Sequence, residues 1–165
     1  IAMEEHVEKI RAARFASGQS GLVIVARTDA RAELGLEEAI RRGKAYYEAG
    51  ADVIFIEAPQ TEEELKGIPS ALPDMPLLAN MIEGGKTPCH SAGELEEFGF
   101  KMGVFALSGL FAATRAIEDC FSYLKENGTA SGFENTSSFK DYKEIINIKK
   151  YQELEEKFIT RKPNS

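Results

Sequence analysis

Four short apolar runs in this chain each end in a residue equipped for chemistry. Residues 22–26 lead into Arg27, 52–56 into Glu57, 76–79 into Asn80 and 103–107 into Ser108. A guanidinium in the first position can grip a carboxylate or phosphoryl group through two parallel hydrogen bonds. A carboxylate in the second can hold a metal-bound water or accept a proton. Asn80 carries a donor and an acceptor together, suited to orienting a substrate carboxylate or carbonyl. Brought to one mouth, these groups describe a pocket for a small anion. Each also has a plainer role open to it. Arg27 can pair with Asp29 or Glu57 in a structural network, and Asn80 is a routine turn residue. Ser108 suits the N-cap of the helix after it; that role is favoured, and it leaves the residue near the mouth.

A helical pattern follows every run. This is the wiring of a parallel (β/α) barrel, in which the C-terminal ends of the strands carry the chemistry. The expected fold is therefore α/β, a TIM-type (β/α)8 barrel. Only four βα units are present and a barrel needs eight, so the chain reads as the last four units plus C-terminal helices. Residues 1–128 would be the barrel half and 129–165 a helical extension. Ile1 is not a natural start, which leads us to expect that the chain begins mid-protein.

The helices are legible from period and punctuation. Residues 4–16 place Val7, Ile10 and Ala13 on one face. Residues 36–49 carry an apolar stripe through Ala39, Ile40, Gly43 and Tyr46, with Gly50 where a left-handed cap belongs. Thr61 to Glu64 spells a capping box, with Glu64 reaching back to the N-cap, and the helix it opens is expected to stop at Pro69 or Pro73. Ser91 to Glu94 spells a second box, for a helix ending near Gly99. A long helix is expected over 109–126, a polar loop over 129–137, one amphipathic helix over 138–158 and a frayed end over 161–165.

Composition narrows the class. The chain has 165 residues, 43% hydrophobic and 28% charged, as soluble globular proteins do. A net charge of −7 argues against nucleic-acid and anionic-membrane partners, which call for a clustered basic face. Cys89 and Cys120 are too few for a disulfide framework, so a cytoplasmic setting is expected. No apolar run approaches the ~20 residues that span a bilayer. Residues 1–6 carry charge where a signal peptide needs an apolar core. Gly84-Gly85-Lys86 lacks the spacing of a phosphate loop and reads as a substrate-covering loop or a plain turn. His6 and His90 read as surface or interface residues, and no His or Cys pair has metal-ligand spacing.

Three strand-end motifs, taken together, resemble a known group. Val25-Ala26-Arg27-Thr28-Asp29-Ala30, then Glu57-Ala58-Pro59, then Ala79-Asn80-Met81-Ile82-Glu83-Gly84-Gly85-Lys86-Thr87-Pro88 resemble the isocitrate lyase/phosphoenolpyruvate mutase superfamily. Within it the chain looks most like the methylisocitrate lyase, dimethylmalate lyase and oxaloacetate hydrolase group. The resemblance implies a Mg²⁺-dependent (or Mn²⁺-dependent) lyase or hydrolase that breaks a C–C bond of a small 2-hydroxy or 2-keto di- or tricarboxylate through an enolate. It implies that Arg27 grips a substrate carboxylate or the transferring group, that Glu57 engages the metal through water or the substrate directly, and that Asn80 binds a substrate carboxylate. Ser108 falls where substrate choice is tuned. The direct metal ligands are expected in an N-terminal half that these residues do not include, so the isolated chain is expected to be inactive. The resemblance also implies a homo-oligomer, tetramer or dimer, in which the C-terminal helix swaps onto a neighbour. Two other functions remain open: a phosphonomutase working on a P–C bond, as in carboxyvinyl-carboxyphosphonate phosphorylmutase, and a non-catalytic half-barrel serving assembly or binding.

Overall fold

The computed structural model of the chain describes residues 1–159; the expected fraying of 161–165 lies outside them. Helix α1 (Met3–Ser17) precedes the first strand, β1 (Val25–Thr28). Helices α2 (Ala30–Leu34) and α3 (Leu36–Glu48) lead to β2 (Val53–Ile56), α4 (Glu62–Ala71) to β3 (Leu77–Asn80), and α5 (Ala92–Phe98) to β4 (Met102–Val104). Helices α6 (Ser108–Asn127), α7 (Phe139–Ile145) and α8 (Ile148–Phe158) complete the order. The four strands form one parallel sheet in the order β1-β2-β3-β4. Every crossover thus steps to the adjacent strand, as in a barrel; a doubly wound sheet would reverse direction. By its contacts the chain falls into two compact units, Ile1–Phe111 and a second beginning at Ala112.

In the first unit one face of the sheet is covered by helices. Ala26, Ile54, Ile56, Leu77 and Ala79 are buried there with Tyr46 of α3, Leu65 and Ile68 of α4 and Leu95 of α5. Each large apolar side chain fully buried in this layer contributes about 1.5–3 kcal/mol. The opposite face is open. Val25, Met102 and Val104 on it are more than a third exposed. Gly43 lets α3 lie close on the sheet, since a Cβ there would meet Ile54 Cγ2 at 3.0 Å.

Strand positions depart from the apolar runs in opposite directions at the two edges of the sheet. The first was expected over 22–26, yet pairing begins at Val25↔Val53 and runs to Thr28↔Ile56, while Leu22 and Val23 are exposed. The cause is Asp52. Its carboxylate accepts the Ile24 N–H at 2.7 Å and Arg14 Nη2 at 2.5 Å, and its own N–H donates to the Ile24 carbonyl. The chain is therefore steered into the sheet only at Ile24. At the other edge β4 lies earlier than the run 103–107, because register with β3 pairs Leu78↔Met102 and Asn80↔Val104.

Helix punctuation is mostly as expected. Ser91 makes both halves of its capping box, and Gly99 closes α5 in the left-handed region. Thr61 caps α4 by accepting the Glu64 N–H at 3.2 Å. Glu64 does not return the bond to Thr61, because it accepts from Gln60 N–H at 2.7 Å and holds Arg31 of α2 bidentately at 2.6 and 2.9 Å. Helix α4 runs through Pro69 and ends before Pro73. Helix α2 was not anticipated; its first N–H, on Ala30, is taken up by the buried Thr28 hydroxyl at 3.2 Å. The single helix expected over 138–158 is two, because Asn147 sits at φ 52°, a left-handed residue that ends one helix and starts the next. Gly128 follows α6 at φ 69°, as a helix stop should.

Gly99 combines a φ of +109° with close packing, since a Cβ there would lie 2.9 Å from Pro69 Cβ. Gly99→Ala is expected to lower stability by about 2 kcal/mol, from backbone strain and overpacking together. The shift in denaturant midpoint at unchanged slope measures it.

Candidate functional site

Parallel pairing sets the ends of three strands beside one another. Arg27 lies level with Phe55, and Phe55 with Leu78. Residues level across a parallel sheet share a face, and so do residues two apart along a strand. Arg27, Glu57 and Asn80 therefore rise on the open face, above Phe55 and Leu78. Arg27 is the third residue of β1 and sits inside the strand; the sequence placed it just past the end.

Arg27 is held from two sides. Its Nε and Nη2 donate to Asp29 Oδ1 at 2.9 and 2.7 Å, and Nη2 lies 3.5 Å from Glu57 Oε2. Its guanidinium carbon stands 5.1 Å from the centre of the Phe55 ring, within cation–π range. The hydrogen bonds to Asp29, followed by the charge of Glu57, raise its proton affinity above the ordinary arginine value. The structural network weighed for Arg27 is thus present, and the guanidinium remains about half exposed toward the open face.

Glu57 and Asn80 line one cleft of about 260 Å³ with Ala32, Ala58, Ile82 and the loop residues Lys86 and Thr87. Two acceptor atoms, Glu57 Oε2 and Asn80 Oδ1, are buried without a hydrogen-bond partner. Buried polar atoms are nearly always satisfied, and leaving one unmade costs ~1–3 kcal/mol. Glu57 Oε2 has the Arg27 cation 3.5 Å away and still lacks a hydrogen-bond donor, and Asn80 Oδ1 lacks a donor as well. The Glu57 N–H is fixed by the Thr28 carbonyl at 3.0 Å, which ties the ends of β1 and β2 together. Directly after it Ala58 adopts φ 53°. That conformation costs a non-glycine residue roughly 1–2 kcal/mol, and such strain gathers at functional sites.

Ser108 stands apart from this group. It is the first residue of α6, and its hydroxyl donates to Glu83 Oε1, which lowers the Glu83 carboxyl below its usual range. The favoured N-cap role gives way to this cross-link between the loops after β3 and β4. Glu83 and Ser108 are absent from the lining of the cleft. A larger cavity, about 510 Å³, lies on α7 and α8 among Lys140, Lys143 and Lys149 and includes none of the strand-end residues. Ala58, Lys86 and Thr87 join the site without having been singled out. Ala58 has no signal in the sequence, while the loop was read only as a cover or a turn.

The donor set admits a hard cation in part. Glu57 and Asn80 supply oxygens of the kind Mg²⁺ takes, and their unpartnered atoms are where a cation or its water would be accepted. Among the described residues no group of three or more acidic, His or Cys side chains forms a complete cage. No helix among them is long and apolar enough to cross a membrane.

Comparison with known proteins agrees with this fold. The family model described as phosphoenolpyruvate phosphomutase matches residues 1–124. The petal death protein of Dianthus caryophyllus is 44% identical over 159 residues, covering 96% of this chain and 50% of that protein. The 2,3-dimethylmalate lyase of Eubacterium barkeri is 40% identical, covering 97% and 55%. The 2-methylisocitrate lyase of Bacillus subtilis (strain 168) is 42% identical, covering 94% and 51%. Among solved structures, a 2,3-dimethylmalate lyase superposes with a TM-score of 0.88 at 31% identity, covering 95% of this chain and 56% of that one. An oxaloacetate acetylhydrolase holding oxalate gives 0.88 at 29%, covering 94% and 54%. A phosphonopyruvate hydrolase holding oxalate and Mg²⁺ gives 0.80 at 26%, covering 96% and 56%. The chain thus spans about half the length of the curated relatives it matches. With three strand ends in register and a match running from the first residue through most of α6, the chain belongs to the phosphoenolpyruvate phosphomutase family, within the PEP mutase/isocitrate lyase superfamily.

Proposed function

We propose that this chain supplies the Arg27–Glu57–Asn80 side of an active site that breaks a C–C bond of a small 2-hydroxy or 2-keto di- or tricarboxylate. The carrying observation is the pair of buried, unpartnered acceptors, Glu57 Oε2 and Asn80 Oδ1, in one cleft beside the Arg27 guanidinium. Relatives at 40–42% identity named as lyases of dimethylmalate and methylisocitrate outnumber a carboxyvinyl-carboxyphosphonate phosphorylmutase of Arabidopsis thaliana at 43%. Their number favours C–C cleavage, and P–C chemistry is the second reading.

In such a reaction on a 2-hydroxy acid, the hydroxyl proton leaves to a base and the carbinol carbon becomes a carbonyl. The C–C bond breaks and its electron pair passes into an enolate. Arg27 places a fixed positive charge where the negative charge gathers, and the Asp29 and Glu57 contacts hold that charge in position. Asn80 orients a substrate carboxylate through its amide N–H, leaving its oxygen for a water or a hydroxyl. Glu57 accepts from a water or hydroxyl at the same point. Glu57, through water, and ligands beyond these residues would hold a Mg²⁺, which would supply Lewis-acid polarisation of a substrate oxygen. The complete enzyme is proposed to work in the cytoplasm as a homo-oligomer, with residues from 129 onward as an exchanged helical extension. The apolar side chains along α7 and α8, which include Tyr142, Ile145, Tyr151 and Phe158, support that part.

Arg27→Ala in the complete protein should lower kcat/KM by roughly 10²–10³-fold on the best C4–C6 hydroxy or keto dicarboxylate found, at an unchanged melting temperature. Turnover within threefold of the parent would end the assignment. Glu57→Gln should lower kcat and raise the Mg²⁺ concentration needed for half-maximal rate, without unfolding the sheet. A large loss of thermal stability at unchanged metal dependence would return Glu57 to a structural partner of Arg27.

A further inference from the structure

His90 stands between two carboxylates, each of which turns one free oxygen toward it. From α4, Glu62 gives Oε1 to Lys66 and presents Oε2 to His90 Nε2 at 3.9 Å. From α5, Glu94 gives Oε2 to the Ser91 N–H and hydroxyl at 2.8 and 2.7 Å, and presents Oε1 to His90 Nδ1 at 3.6 Å. The imidazole is only 11% exposed. It packs edge-on against Phe98, with ring centres 4.9 Å apart, and its Nε2 is buried without a hydrogen-bond partner. Its backbone N–H donates to Met81 Sδ at 3.3 Å, and Met81 is the fully buried residue that follows Asn80. His90 is therefore the foot of the loop that leaves β3 at the site and returns to α5. Ile82, Gly85, Lys86 and Thr87 of that loop form one wall of the cleft.

A neutral imidazole has one N–H and one lone pair. Set between two carboxylates, it can satisfy one and must turn an acceptor toward the other. An imidazolium donates on both sides, and hydrogen bonds between ions are roughly twice as strong as neutral ones. We propose that His90 is a proton-dependent fastening for the cleft loop: protonated, it binds Glu62 and Glu94 together and holds residues 82–89 as a fixed wall; deprotonated, it lets one carboxylate go and the wall loosens. His90 is thus a positioning residue, acting on the cleft through the loop.

The surrounding charges allow this. The facing groups are Glu62 and Lys66 from α4 and Glu94 from α5. Lys66 lies over the Phe98 ring at 4.9 Å and stays on the other oxygen of Glu62. The Ser91 hydrogen bonds hold the Glu94 carboxyl below its usual range, so it faces the imidazole as an anion. The protonated form can donate to both carboxylates and the neutral form to only one, so the added order belongs to the protonated form. This device concerns the loop itself and holds whether or not the proposed reaction is correct.

Amide hydrogen exchange of residues 82–89 tests it on the complete protein, at about pH 6 and about pH 8, each rate normalised to the unstructured chain at that pH. The expected result is several-fold greater protection at the lower pH. His90→Gln should abolish that difference, and so should the Glu62→Gln/Glu94→Gln pair, which keeps the α5 cap because Gln also serves in a capping box. His6→Gln should keep it, since His6 is stacked on Tyr46 at a ring distance of 4.4 Å, away from this loop. Equal protection at the two pH values in the parent overturns the proposal. So does a pH difference that survives in His90→Gln or, should that variant not fold, in the double Gln variant.

Discussion

The parallel register of β1, β2 and β3 is the constraint on which the candidate site depends. Pairing Arg27 with Phe55, and Phe55 with Leu78, levels three strands that arrive from distant parts of the chain. Glu57 then stands two residues beyond Phe55 and Asn80 two beyond Leu78, so the alternation of side chains delivers both to the face that carries Arg27. A slip of one residue in either pairing would send one of them into the helix-covered layer. Burial protects the register: Ile54, Ile56, Leu77 and Ala79 occupy that layer and cannot be exchanged for a charge.

The same burial explains why the chemistry lies where it does. Helices α3, α4 and α5 cover one face of the sheet, and the other face remains free to carry a guanidinium, a carboxylate and an amide. Those groups are not fully quenched by one another. Arg27 is anchored by Asp29 and guided by Glu57, yet one oxygen of Glu57 and the oxygen of Asn80 are buried without donors. Together with the left-handed Ala58, this marks a place where the fold tolerates local cost. The loop over 82–89 closes one side of that place and is anchored at both ends, by β3 before it and by the His90 cluster after it.

Membership of the family agrees with this arrangement at the level of the chain and of the fold. Relatives at 40–44% identity extend to about twice the length matched here. The open sheet face and the unclosed edges of β1 and β4 suit one part of a larger barrel-like protein, since an isolated parallel sheet covered on one side leaves backbone groups and apolar side chains without partners.

Much of this was legible in the residues. Four apolar runs with helical segments between them specify parallel strands, because only crossovers can join them. Ser91 with Glu94, Gly99 and Gly128 announce their helix ends through local chemistry. Arg27, Glu57 and Asn80 stand out because polar groups that end apolar runs must meet at a common rim. What the sequence could not state is anything settled by partners far along the chain. Asp52, bonded to Ile24 and Arg14, moves the start of β1; Arg31 draws Glu64 away from its cap; Asn147 breaks a helix that period alone would continue. Ser108 turns its hydroxyl to Glu83, and Ala58, Lys86, Thr87 and His90 acquire their places only when loops fold back. Local periodicity and capping are properties of a few neighbouring residues, and so the sequence determines them by itself. Orphaned acceptors, strained backbone and facing carboxylates exist only once the strands are in register and the core has closed, and those the tertiary structure decided.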